Sequence, residues 1–260
     1  MRIYIMTDME GISGIRTEQQ CQTDHPSYQL GRKLLMGDVN AAVAGAIEGG
    51  ATDVLVSDGH GGGPHFILEE MDSRARYERP DGGGNYMPGI SEKFSGCFLI
   101  GAHAMAGTEN GFLDHTQSSL HWFNYYINGN KTGEIGQVGA IAGHYGVPML
   151  LITGDRAACR EAEAFFPGVK TVVVKEAMGR QQARCLHPAK ARELIQAAAK
   201  GAMSLVEKVE PYRIQLPGTV RLEVCRSDTA DACARKAGTR RLDARTLERD
   251  IQSALEIVSF

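Results

Sequence analysis

The chain has no apolar run long enough to cross a bilayer. Its longest runs, such as Val147 to Ile152, fall far short of the roughly 20 residues a membrane helix needs. No charged segment followed by an apolar run and a cleavage site opens it; Met1 leads straight into a strand pattern, and no secretory leader is expected. Cysteine is sparse. Cys21, Cys97, Cys159, Cys185, Cys225 and Cys233 never adopt CxxC spacing, which excludes a zinc knuckle or a thioredoxin-type motif. Scattered thiols in a chain this long fit a reduced, cytoplasmic protein. A basic stripe is missing too. The net charge is −3, the pI about 6.2, and Lys and Arg are dispersed apart from a cluster near Arg235 to Arg241, so neither nucleic acid nor an anionic membrane is an expected partner. The triple glycine at 61–63 lacks the spaced glycines and the following Lys-Ser or Lys-Thr of a nucleotide cradle.

What is present reads as an α/β protein. The 260 residues suffice for one large domain, or a catalytic domain with a smaller one. Arg2 to Thr7 reads as a strand, Leu30 to Glu48 as a helix ended by Gly49-Gly50, and Asp53 to Ser57 as a second buried strand. That order implies a crossover and a parallel sheet. Further strands are expected at Ser95 to Gly101, Trp122 to Ile127, Val147 to Thr153 and Thr171 to Val174. Asn128-Gly129-Asn130 is a hairpin signal, Asp81 to Asn85 a loop, and Phe66 to Met71 a short helix or strand. Helices are expected over Glu134 to Ala142, Asp155 to Phe165, Pro188 to Glu207, Asp228 to Lys236 and Leu247 to Val258, with strands at Tyr212 to Leu216 and Val220 to Val224. The architecture is thus a mainly parallel central sheet with flanking helices plus a smaller C-terminal α+β subdomain. The expected division is residues 1–175 and 176–260.

Three core strands end in side chains that bind metals. The first delivers Asp8 and Glu10, which point the same way because they are two apart on an extended chain. Two carboxylates that close repel unless a cation separates them or one is protonated. The second strand runs into Asp58-Gly59-His60, the third into Ala102-His103. Glu134 opens a later helix. In a parallel sheet these strand ends share one edge, where ligands bind. Each residue also has an ordinary structural explanation: a solvated acidic turn, a turn histidine, a core histidine, a carboxylate at a helix start. Together they point to a metal. Oxygen and imidazole donors without thiolate suit zinc, manganese or cobalt. Five such donors exceed one catalytic zinc and match a two-metal site with a bridging carboxylate. His115 follows a glycine-containing loop and suits proton transfer near neutrality. Asp58 is placed to orient His60, and His65 reads as structural or surface.

The runs Thr-Asp-Met-Glu-Gly-Ile-Ser-Gly at 7–14, Ser-Asp-Gly-His at 57–60, Gly-Ala-His-Ala at 101–104, His115 and Ile-Asn-Gly-Asn-Lys-Thr-Gly-Glu-Ile-Gly at 127–136 resemble the zinc-dependent D-aminopeptidase family. The resemblance covers nearly the whole chain. It implies two zinc ions per subunit on Asp8, Glu10, His60, His103 and Glu134, with His115 as the catalytic histidine. It implies short peptide substrates with an N-terminal D-amino acid such as D-alanine, and a homodecamer of two stacked five-membered rings. The loop between His103 and His115 is one residue longer than the resemblance leads one to expect, and Asp114 stands where a small polar residue is expected. Asp8, first off the sheet, is the expected bridging carboxylate, with Glu10 on one metal alone. The competing expectations are a dinuclear amidase or phosphoesterase on another small substrate, and a metal- or peptide-binding protein without turnover. The second leaves His115 without a use.

Overall fold

The computed structural model describes residues 1–61, 63–80 and 86–260. The loop expected over Asp81 to Asn85, and Gly62 of the glycine run, lie outside them. The strands are β1 (Arg2–Thr7), β2 (Asp53–Asp58), β3 (Arg76–Glu78), β4 (Gly96–Ala102), β5 (Trp122–Ile127), β6 (Asn130–Lys131), β7 (Met149–Asp155), β8 (Lys170–Gly179), β9 (Gln182–Cys185), β10 (Gly218–Val224), β11 (Thr239–Arg241) and β12 (Thr246–Ile251). The helices are α1 (Tyr28–Glu48), α2 (Glu134–His144), α3 (Arg156–Phe165), α4 (Pro188–Ala202) and α5 (Ser227–Cys233). They form a seven-stranded sheet in the order β3-β2-β1-β4-β7-β8-β9 and a five-stranded sheet in the order β11-β12-β10-β5-β6. The first is parallel except at its β9 edge. The second is antiparallel throughout. This is the expected α/β class with a mainly parallel sheet.

Alternation along β1 explains the layering. Ile3 and Ile5 enter one core with residues of α1 and α4. Tyr4 and Met6 enter the other with α2, β5, β10 and β12. A strand buried on both faces reads as continuously apolar, as β1 does. The large sheet is therefore covered by α1 and α4 on one face, and by α2, α3 and the small sheet on the other.

The chain leaves β1 for β2 on one side and returns as β4 on the other, so β1 and β4 flank a reversal of strand order. Ligands bind beyond the carboxyl ends of strands at such a point. Backbone bonds cinch those ends together: Asp8 N donates to Ile100 O at 2.9 Å, Gly11 N to Gly101 O at 2.7 Å, and Gly59 N to Thr7 O at 3.1 Å.

Several expectations change. The 175/176 division falls inside β8, and the small sheet takes β5 and β6 from well before it, so the two sheets interleave in sequence. Residues 247–258 form β12 and a single 3-10 turn at Ala254–Glu256, not a helix. Leu247 and Ile251 are four apart, a spacing that fits a helix face and a strand face equally; pairing with β10 decides. Residues 212–216 are irregular, with Tyr212 packed edge-on against Phe165 and Phe166. Phe66 to Met71 contains only the 3-10 turn Leu68–Glu70. Among the described residues no helix is long and apolar enough to cross a membrane. All six cysteines are free.

Candidate metal centre

The carboxyl ends of β1, β2 and β4 and the first residue of α2 bring Asp8, Glu10, His60, His103 and Glu134 together, with His115 beside them. Asp8, Glu10 and His103 are buried. His60, His115 and Glu134 are half-buried. Asp8 is central. Its Oδ1 lies 2.9 Å from His60 Nδ1, and its Oδ2 lies 3.2 Å from His103 Nε2. The two oxygens of one carboxylate thus face two different imidazoles. Glu10 Oε2 sits 3.1 Å from His60 Nδ1, and Glu134 Oε1 sits 3.3 Å from His103 Nε2. His115 stacks on His103 with ring centroids 3.9 Å apart, and its Nε2 is 3.7 Å from Glu134 Oε1.

The tautomers follow from the backbone. His103 Nδ1 is 3.0 Å from Ala104 O, and His115 Nδ1 is 2.8 Å from Leu113 O. A carbonyl oxygen only accepts, so both Nδ1 atoms carry hydrogen and donate. That leaves His103 Nε2, a lone pair in the neutral ring, aimed at two carboxylates. His103 Nε2 and Glu10 Oε2 are buried and make no hydrogen bond. Such buried polar atoms are costly unless something answers them. Here the answer is either a proton or a cation.

The electrostatics repeat this conflict. Burial works to raise the Asp8 pKa, but the His103 and His60 charges outweigh it and hold Asp8 well below the usual carboxylate range. Burial works to lower His60 and His103. The carboxylates, Glu10 foremost for His60 and Glu134 for His103, push both well above the usual histidine value. Glu134 is lowered despite burial, by His103 first. A divalent cation meets the same field without protonating the rings. Two ligand-type groups have donor atoms close enough to share an ion: Asp8, Glu10 and His103, and His103, His115 and Glu134. The donors fit zinc. His115 is thus close enough to act as a ligand as well as a proton carrier.

The supporting residues are partly new. Tyr86 Oη donates to Glu134 Oε2 at 3.1 Å, and the Gln117 backbone N–H donates to Glu134 Oε1 at 2.7 Å. Gln117 achieves this with a φ of +59°. Nothing in the sequence marks Tyr86, which follows the glycine-rich run 82–84 and Asn85. Lys175 is fully buried and donates from Nζ to the carbonyls of Glu10 and Ile15, both at 2.6 Å. In the sequence it only follows the apolar run Thr171 to Val174, which Lys170 precedes, so nothing there distinguishes it from a surface lysine at a strand end. Burial lowers its pKa to about 8. Asp58 does not orient His60. It takes the His65 backbone N–H and faces His65 Nδ1, each at 2.8 Å, and His65, buried rather than at the surface, packs edge-on against His60 at 4.8 Å. A Cβ on Gly63 would meet the His65 ring at 2.0 Å, a close approach that no spacing rule anticipates.

The centre opens into a cleft of about 840 Å³ whose lining includes Asp8, Glu10, His60, His115, Glu134 and Arg180. The family model for Peptidase M55, D-aminopeptidase, matches residues 1–260. The chain belongs to the D-aminopeptidase family. The D-aminopeptidase of Bacillus subtilis (strain 168) is 33% identical over 212 residues, covering 81% of this chain and 77% of the relative. Among solved structures, the chain resembles that described as the Zn-dependent D-aminopeptidase DppA from Bacillus subtilis, a self-compartmentalizing protease. The TM-score is 0.95 at 30% identity, covering 99% of this chain and 94% of that one. The likeness to this D-aminopeptidase extends to the small sheet, since so little of either chain is left out.

Proposed function

We propose that this D-aminopeptidase family member uses two zinc ions to release the N-terminal residue, a D-amino acid such as D-alanine, from short peptides. The observation that carries the reading is Asp8 between two imidazoles, with buried His103 Nε2 and Glu10 Oε2 lacking hydrogen-bond partners. Asp8 would bridge the ions, His60 and Glu10 would hold one, and His103 and Glu134 the other. Zinc held by these residues would supply Lewis-acid polarisation of the scissile carbonyl and a lowered pKa for bound water. The zinc dependence of the Bacillus relative supports the choice of metal.

His115 is the proton carrier in this reading. With Nδ1 committed to Leu113 O, its working atom is Nε2, which faces the cleft beside Glu134. It would take a proton there from the attacking water and return it to the leaving amine. Tyr86 and the Gln117 backbone hold Glu134 in place. With Asp8, Glu10 and Glu134 engaged by zinc, the peptide's N-terminal amine would arrive at the centre in its neutral form. The self-compartmentalizing relative supports a homo-oligomer, which we take to be a cytoplasmic decamer of two five-membered rings. Light scattering separates it from the 28.1 kDa monomer.

The test is amino-acid release from D-Ala and L-Ala dipeptides, with a chelator and then with zinc restored. Loss on chelation, recovery with zinc and preference for the D-dipeptide are expected. His115→Ala should lower turnover by about 10²–10⁴-fold while zinc content holds. Hydrolysis that survives complete metal removal contradicts the mechanism; zinc lost from the variant makes His115 a ligand.

A further inference from the structure

The β8–β9 turn contributes Arg180 to the lining of the cleft, and the metal chemistry gives it no task. Arg180 lies at its tip and lines the same cleft as Asp8, His115 and Glu134. Its backbone is tied to the catalytic loop: Leu113 N donates to Arg180 O at 2.7 Å, and His115 Nδ1 donates to Leu113 O at 2.8 Å. One residue therefore links Arg180 to the histidine. The next residue braces the turn from the other side, Gln181 Nε2 donating to Glu18 Oε2 at 3.0 Å.

The guanidinium is only loosely held. Its Nε lies 3.5 Å from Asp114 Oδ1, beyond good hydrogen-bond length, and Asp114 Oδ2 already accepts the Gly107 N–H at 2.6 Å. Among the described residues nothing else meets it, so both Nη groups remain available. The side chain is 40% exposed, open enough to receive a ligand. The cleft is otherwise rich in carboxylates: Asp8, Glu10, Glu18, Asp58 and Glu134. A short peptide is a zwitterion. Its amine would meet the metals these carboxylates hold, and among the described lining residues its carboxylate can meet two guanidinium groups, Arg180 and Arg79, of which Arg79 already donates to Gly63 O.

We propose that Arg180 is a specificity-determining residue that binds the free C-terminal carboxylate of the peptide through its Nη groups, favouring short substrates whose two ends reach the centre and Arg180 together. Planar guanidinium matches carboxylate in a two-bonded fork, which lysine cannot reproduce. Asp114, 3.5 Å from Nε, keeps the fork near the His115 loop without occupying its Nη groups.

The inference rests on the aminopeptidase reading, and one experiment separates the two. Steady-state hydrolysis of the D-Ala dipeptide and its C-terminal amide is compared in the zinc-loaded wild type, Arg180→Ala and Arg180→Lys. The wild type should favour the free acid. Arg180→Ala should raise KM for the acid by about ten-fold with kcat little changed, leave the amide unaffected, and so erase the preference. Arg180→Lys should recover part of it through charge alone. Zinc content equal to wild type excludes a collapsed centre. An acid-to-amide ratio that is the same in Arg180→Ala and wild type overturns the inference while leaving the aminopeptidase reading intact. A wild type that hydrolyses neither overturns both.

Discussion

Tyr86 Oη and the Gln117 N–H each occupy one oxygen of Glu134, and this fixes which way the carboxylate can face a metal. Removing the hydroxyl should loosen the centre without emptying it. Tyr86→Phe is expected to weaken zinc binding by about 10–100-fold in a chelator competition, the range for lost outer hydrogen bonds to metal ligands. Unchanged affinity would show that Gln117 alone suffices. Glu161 carries a different consequence. Burial pushes its pKa up to about 7, although the Met105 N–H donating to Oε2 at 2.8 Å works to lower it. Its folded value lies above its unfolded one. Its contribution is therefore fully present below the unfolded pKa and lost as pH rises through 7. The loss across that window is up to about 3 kcal/mol. Glu161→Gln cannot titrate, so its stability relative to wild type should rise between pH 5 and pH 8 in urea unfolding. A difference independent of pH would place the carboxyl in contact with water.

The loop leaving β1 works because it lies against the end of β4. A Cβ on Gly11 would meet Ala102 O at 2.1 Å and Gly101 C at 2.4 Å, both backbone atoms that cannot swing aside. Gly11→Ala should push the two strand ends apart, destabilise the fold by about 3 kcal/mol or more, and cost the protein its zinc. Both are read from one titration of thermal unfolding with metal. A variant of wild-type stability and zinc content would mean the loop can shift freely. The strand ends themselves were legible in the sequence, because apolar runs that stop at Asp8, His60 and His103 encode burial and punctuation locally. Glu134 was legible for the same reason, as Gly133 and Glu134 open α2. What stayed hidden depends on distant pairing. β12 shows a spacing shared by helix and strand until β10 lies beside it. The Asp58–His65 pair joins residues seven apart, a separation at which side chains do not touch along a helix or a strand. Tyr86 and Arg180 are ordinary surface-type residues whose meaning comes only from the cleft between them.

At the scale of the whole chain, the parallel sheet supplies rigidity and the reversal of strand order between β1 and β4 supplies the opening. The antiparallel sheet backs α2, whose first residue is Glu134, so residues far apart in sequence stabilise one wall of the centre. Interleaving of the two sheets makes independent folding of either part an unfavourable route: β5, which carries β6 at its edge, has its other partner in β10, some ninety residues later. All of this converges on Asp8. The direct measurement is an anomalous-scattering map of the zinc-loaded crystal, recorded at the zinc absorption edge. Two peaks about 3.5–4 Å apart are expected, one against His60 and Glu10, the other against His103 and Glu134, with one oxygen of Asp8 on each. A single peak, or two peaks with Asp8 touching only one, would contradict the account.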